Sequence, residues 1–196
     1  MRVLRYLHGT ADYGLVMDVR ASSTFSLVGY SDADYANDPD DYKSVSGYVT
    51  LLDGNVVSYA SRKQSINAQS TCEAEYIAMN ECTRDLLWFE GLLDELLWKH
   101  DLPVLRGDNM GSIRLASKPG KHRNTKHIMN KFHLVRHLVE KKCLRTEHVG
   151  TEDQIADVMT KALGTVKFRR FRTALKVLQV IPGRDVTSGT AQPDTI

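Results

Sequence analysis

The stretch Q-S-T-C-E-A-E-Y, from Gln69 to Tyr76, constrains this chain more than any other. Ser70 followed three residues later by Glu73 is a capping box: a hydroxyl and a carboxylate satisfy backbone donors left open at a helix start. Ala74, Ala78, Cys82, Leu86, Phe89 and Leu93 then recur at the spacing of one buried helical face, which predicts a helix from near Thr71 to about Trp98. Glu75 falls in its first turns, where the helix dipole favours an acid. Taken alone, such a glutamate reads as a solvated or dipole-stabilising residue, so its meaning depends on what the rest of the chain brings near it.

Upstream of that helix the pattern is β-rich. Residues 24–32, T-F-S-L-V-G-Y-S-D, alternate well enough for a strand ending at Asp32. A polar turn comes next at N-D-P-D-D-Y-K, residues 37–43. The runs S-G-Y-V-T-L-L and V-V-S-Y-A-S-R flank Asp53-Gly54-Asn55, a hairpin signal, because an Asp-Gly pair accepts the positive φ angles of a tight turn. Downstream, Pro103 to Arg106 reads as a strand, residues 109–117 as a short helix, and 118–124 as a basic loop. Residues 125–142 read as a helix with Ile128, Phe132, Val135, Leu138 and Val139 inward, and 144–149 as a last strand. Thr151 with Gln154 repeats the capping-box pattern and predicts a helix burying Ile155, Val158, Met159 and Leu163. A basic helix is expected over 165–178, and a patternless, disordered tail over 182–196. Residues 1–20, a helix, a turn at His8-Gly9 and a short strand, do not visibly belong to the unit that begins at residue 24. Strands first, then strands alternating with helices, imply an α/β domain with a mixed sheet flanked by helices.

Composition is that of an ordinary globular chain, with no run apolar enough to span a bilayer and no signal-peptide pattern at the N-terminus. Three cysteines without metal spacing read as reduced thiols of an intracellular protein. Charge is divided unevenly: residues 1–98 hold 7 Lys+Arg against 15 Asp+Glu, and residues 99–196 hold 19 against 9. An acidic half beside a basic half suits a protein that holds metal with one region and phosphate with the other.

Four acids stand where elements meet: Asp32, Glu75, Asp108 and Asp157. Brought together bare, they would repel one another by several kcal/mol. Cations relieve that repulsion, and all-oxygen ligation selects Mg²⁺ or Mn²⁺. Two such ions about 4 Å apart suit in-line displacement at phosphorus. Asp34, Asp38, Glu73, Asp85 and Asp153 are equally available by composition. His122, His127 and His133 share no helical face and are joined by no cysteine, which argues against zinc. Trp88 and Trp98 read as packing residues.

The motifs G-Y-S-D-A-D-Y-A, D-D-Y-K-S-V-S-G-Y, S-T-C-E-A-E-Y-I-A, G-D-N-M-G-S-I, T-K-H-I-M-N-K-F-H and T-E-D-Q-I-A-D-V-M-T-K occur in an order that resembles the ribonuclease H domain of copia-type retrotransposon Pol polyproteins, over residues 24–178. Residues 1–20 look like the tail of the segment connecting it to the reverse transcriptase, so the chain looks like a polyprotein fragment. The resemblance implies a ribonuclease H-like fold, a five-stranded mixed sheet with three antiparallel strands first. It implies hydrolysis of the RNA strand of RNA–DNA hybrids with two Mg²⁺ ions (Mn²⁺ as substitute), held by catalytic Asp32, Glu75, Asp108 and Asp157. Glu75 and not Glu73 matches the family motif. The implied partners are the hybrid and the reverse transcriptase portion of the polyprotein, in the cytoplasm, virus-like particles or nucleus. Lys118, Lys121, Arg123 and Lys126 are the expected phosphate contacts. The chain departs from the family at Arg106-Gly107 and at Met110-Gly111-Ser112, around Asp108. Cellular enzymes of this superfamily carry a histidine in a loop before the last acid; here that path is short and the only nearby histidine is His148, expected at a strand end, where a surface role suits it better than a catalytic one. The alternative is a catalytically inactive, nucleic-acid-binding remnant.

Overall fold

The computed structural model describes residues 2–18, 23–117 and 134–180. Strands β2 (Leu27–Asp34), β3 (Val45–Leu52) and β4 (Asn55–Lys63) form an antiparallel meander, and helix α2 (Thr71–Glu95) comes after them. Strands β5 (Val104–Gly107) and β6 (Arg145–His148) add in parallel on the other side of β2, giving the order β4-β3-β2-β5-β6. Between β5 and β6 lie α3 (Met110–Ser117) and α4 (Leu134–Glu140). The mixed sheet is therefore the one expected from the order of strand and helix patterns. The expected basic loop at 118–124 and the first half of the helix over 125–142 lie outside the described residues.

Local chemistry accounts for the best-defined elements. Asp53 and Gly54 both adopt positive φ, 50° and 75°, in the tight β3–β4 turn, and Asp53 also accepts the Ser26 N–H at 2.8 Å. Ser70 caps α2, its Oγ accepting the Glu73 N–H, while Glu73 reaches back to the Gln69 N–H at 2.9 Å. Ala74, Ala78, Cys82, Leu86 and Leu93 are buried along α2, and Phe89 packs against the same core.

Residues alternate across β3 to serve two cores. Tyr48 joins α2 on one face of the sheet; Val49 and Leu51 join Ile155, Phe171 and Leu175 on the other. A glycine permits the first of these layers to close. A Cβ on Gly29 would come within 2.5 Å of Cys82 Sγ, so α2 lies against β2 at a distance no other residue allows.

Four local expectations are corrected. Strand β2 does not stop at Asp32 but pairs with β3 as far as Asp34 opposite Val45, which leaves Asp32 inside a strand. The helix expected after Thr151 is two 3-10 turns, Thr151–Asp153 and Ile155–Met159, interrupted by buried Gln154. The basic helix over 165–178 ends sooner: α5 is Thr165–Ala174, and Val177–Gln179 forms β7. Trp88 and Trp98 make packing contacts as expected, edge-on with Phe89 and stacked on Phe25, but neither enters the core: both are exposed, Phe89 taking the inward position beside Trp88.

The N-terminal piece, α1 (Arg2–Gly9) and β1 (Tyr13–Leu15), is tied to the C-terminal part. Strand β1 pairs antiparallel with β7, and Tyr6 meets Phe168 edge-on. Residues 182–196 lie outside the described residues. Among the described residues no helix is long and apolar enough to cross a membrane.

Candidate active site

Strands β2 and β5 run parallel with Tyr30 opposite Arg106. Two residues further along each strand direction stand Asp32, still inside β2, and Asp108, just past the end of β5, so the register sets these acids side by side where the β2–β5 pairing runs out. Asn109 caps α3 by accepting the Ser112 N–H at 3.0 Å, which turns the chain immediately after Asp108. Helix α2 brings Glu75 to the same place. One carboxylate oxygen each from Asp32, Glu75 and Asp108 lie within 4.8 Å of one another.

Asp157, from the second 3-10 turn, borders this group. It is buried, as is Asp32, and the two are bridged by one ammonium: Lys161 Nζ lies 2.9 Å from Asp32 Oδ1 and 3.1 Å from Asp157 Oδ1. Lys167 Nζ takes Asp157 Oδ2 at 2.8 Å, and Thr160 Oγ1 donates to Asp32 Oδ2. Most of the other acids that composition left available are engaged elsewhere. Glu73 caps α2, Asp38 pairs with Lys63, Asp85 accepts from Thr50 and Ser58, and Asp153 pairs with Arg170.

The electrostatics derive from burial and like charge. Burial pushes the Glu75 carboxyl up to about 9, and the charges of Asp32 and Asp108 add to the shift. Burial also raises Asp32, against the opposing hydrogen bond from Thr160 and the charge of Lys161. Lys161 is itself partly desolvated, yet the carboxylates of Asp32 and Asp157 hold its pKa above the ordinary lysine value. Three carboxylates this close, with Glu75 pushed towards its protonated form by burial and by its acidic neighbours, are a cluster that a cation would stabilise.

Several residues around the site carry roles that the sequence pattern concealed. Thr151 and Gln154 read as a capping box, but Gly150 stands at the N-cap position and no side chain caps the turn there. Thr151 Oγ1 instead donates to Asp108 Oδ2 at 3.2 Å, and Gln154 Nε2 crosses to the Ser31 carbonyl at 2.9 Å. Lys161 stands four residues after Asp157, a spacing that signals an ion pair on a helical turn, and this signal was present in the sequence. Lys167 and Thr160 gave none. Among the departures around Asp108, Arg106 binds Glu147 at 3.1 Å and Tyr30 at 2.6 Å, and Gly111 admits the close approach of Cys72. His148 Nε2 lies 3.1 Å from the Asp108 carbonyl oxygen. Lys118, Lys121, Arg123 and Lys126 lie outside the described residues.

A mixed sheet ordered β4-β3-β2-β5-β6, with its first three strands antiparallel, is a ribonuclease H-like fold. The fold is similar to that of LC11-RNase H1, solved in complex with RNA/DNA hybrid, with a TM-score of 0.53 and 19% identity, covering 69% of this chain and 94% of that one. It is also similar to the N-terminal ribonuclease H domain of a Mycobacterium tuberculosis protein, with a TM-score of 0.51 and 11% identity, covering 77% and 99%. No protein-family model matches the chain. The sequence is 41% identical over 182 residues, 92% of the chain, to the retrovirus-related Pol polyprotein from transposon RE2 of Arabidopsis thaliana. It is 36% identical over 166 residues, 85% of the chain, to that from transposon TNT 1-94 of Nicotiana tabacum. The chain is thus a homologue of copia-type Pol polyproteins from transposons, and it spans 12% of the length of each of these two relatives.

Proposed function

We propose that this chain is the ribonuclease H domain of a retrotransposon Pol polyprotein and hydrolyses the RNA strand of RNA–DNA hybrids. The observation that carries the reading is the meeting of Asp32, Glu75 and Asp108 where the pairing of two parallel strands runs out. Their crowding, and the suppressed acidity of Glu75, fit a site for hard divalent cations, Mg²⁺ or Mn²⁺. Asp32, Glu75 and Asp108 would hold one ion, and Asp32 with Asp157 a second. When bound, such ions acidify the attacking water and stabilise the leaving oxygen.

The chain's own residues prepare this site. Thr160 and Lys161 fix both oxygens of Asp32, so its carboxylate plane is set before any ligand arrives. Thr151 does the same for one oxygen of Asp108. Gln154 fastens the 3-10 turn to the strand that carries Asp32. Water attacks phosphorus, the bond to the 3′-oxygen breaks, and the products carry a 3′-hydroxyl and a 5′-phosphate. Lys118, Lys121, Arg123 and Lys126 are assigned to phosphate contacts with the hybrid. Residues 1–20 are assigned to the segment leading from the reverse transcriptase portion, and residues 24–178 to the catalytic domain.

Purified protein incubated with a labelled hybrid tests this reading. Cleavage of the RNA strand is expected in Mg²⁺ and none in EDTA. Single-stranded RNA and duplex DNA should be spared, because a hybrid is read through 2′-hydroxyls on one strand and deoxyribose on the other. Binding of the hybrid without cleavage would favour the alternative, a catalytically inactive nucleic-acid-binding remnant.

A further inference from the structure

Every carboxylate oxygen of the buried pair Asp32 and Asp157 is already engaged. Asp32 Oδ1 and Asp157 Oδ1 share the Lys161 ammonium at 2.9 and 3.1 Å, Asp32 Oδ2 accepts from Thr160, and Asp157 Oδ2 pairs with Lys167. The other side of the cluster differs. Among the described residues, no basic side chain forms an ion pair with Glu75 or with Asp108. Among the described residues the acids thus divide into a side whose carboxylates are ion-paired and a side whose carboxylates are not.

We infer that Lys161 is a tethered placeholder cation: its ammonium occupies the position between Asp32 and Asp157 and must leave before a second divalent ion can enter there. This rests on the metal-dependent reading above. The two halves of the site then fill unequally. The first ion meets three carboxylates, of which, among the described residues, Asp32 alone holds the ammonium, while Glu75 and Asp108 pair with none. The second must displace a charge held within hydrogen-bond distance of two buried carboxylates, where the low dielectric makes the pairing strong. The lysine can move: its side chain is 34% exposed, whereas those of Asp32 and Asp157 are 0% and 2% exposed. The rigid partners stay and the flexible one swings out, so Lys161 preserves the geometry of the empty half-site and sets the concentration at which it fills. Of the two acids Lys167 pairs with Asp157, its ammonium lying also over the Phe171 ring, and it does not bridge the pair.

Calorimetric titration with Mn²⁺, on the wild-type chain and on K161M, K161Q and K167M, tests this without reference to turnover. The wild type should show a tight step and a weaker one. K161M and K161Q should tighten the second step by at least about tenfold and leave the first within about twofold, while K167M shifts the second step less. A K161M protein that melts early without Mn²⁺ and recovers the wild-type Tm with it supports the same exchange. Two Mn²⁺ steps unchanged by K161M and K161Q overturn the inference and leave the metal reading intact. Equal shifts in K167M and K161M also overturn it, since they would reflect net charge alone. If both Lys161 variants stay unfolded in saturating Mn²⁺, Lys161 is a structural ion-pair partner and the inference fails. If the folded wild type and variants bind no Mn²⁺, the metal reading fails with it.

Discussion

Gly47 lies directly beneath Thr160: a Cβ built on the glycine would sit 2.6 Å from Thr160 Cγ2 and 2.7 Å from Met159 Cβ. Gly47 also pairs with Asp32 across the β2–β3 ladder. A bare backbone at this position is what lets the turn carrying Asp157, Thr160 and Lys161 lie on the sheet beside Asp32.

Replacing Gly47 with alanine should therefore lift that turn from β3. The cost is expected at about 1–3 kcal/mol, the range for overpacking a closed interface. Hybrid cleavage should fall by more than the loss of folded protein explains, because the Thr160 and Lys161 contacts to Asp32 go together. Thermal melts and cleavage rates on the same preparation check both parts. A G47A protein with wild-type Tm and rate would show that the contact is not needed.

Glu73 and Glu75 lie two residues apart and should separate cleanly. E73Q weakens a cap and should cost about 0.5–1 kcal/mol with cleavage retained. E75Q removes the carboxylate that a bound cation would ionise in the acid cluster and should cut the rate by at least ~10³-fold. Rates for the two variants, measured at a temperature where both are folded, decide between them. The reverse pattern would move the site's glutamate to Glu73.

Glu75 also sets a pH dependence. Its carboxyl is raised from 4.5 to about 9 in the folded state, so between those values the native protein holds a proton that the unfolded chain has released. The cation-free protein is therefore fully favoured by this group below pH 4.5 and loses that contribution as pH rises towards 9, at about 1.4 kcal/mol per pH unit and so by several kcal/mol at pH 8. Asp32, also raised, acts in the same direction. Melts in EDTA from pH 5 to 9 should show Tm falling for the wild type and a flatter line for E75Q. Mg²⁺ should raise Tm more at pH 8 than at pH 5, because it replaces the proton. A wild-type Tm that climbs with pH in EDTA would contradict the assignment.

Much of this was legible in the sequence, where the signal was local. The Asp53-Gly54 turn, the Ser70 cap and the α2 stripe are each specified within a few residues, and they order the first half of the domain. Asp108 falls beside Asp32 because a parallel register carries placement forward from Tyr30 and Arg106. What stayed hidden was non-local. Gln154 does cap a turn, its Oε1 accepting the Ala156 N–H, but nothing local announces that the Ser31 carbonyl, 123 positions earlier, takes its amide N–H. Val177–Gln179 is too short to read as a strand until β1 supplies its partner.

That hidden contact yields its own prediction. Q154A removes a buried side chain and leaves the Ser31 carbonyl without its donor, a loss of about 1–3 kcal/mol. T151V, which frees one oxygen of Asp108, should be nearly neutral for Tm and lower cleavage about 10-fold. Measuring melts and rates for the pair separates anchoring of the turn from orientation of the acid. A T151V rate equal to wild type would remove Thr151 from the site.

The most direct test of the central claim is the rate of hybrid cleavage by the wild type and by Asp32→Asn at saturating Mg²⁺, with folding of both verified by melting. Asp32 is the acid that both halves of the site share, through Glu75 and Asp108 on one side and Asp157 on the other. Its neutralisation should reduce the rate by at least ~10³-fold while the folded state survives. Cleavage by Asp32→Asn at the wild-type rate would contradict the account.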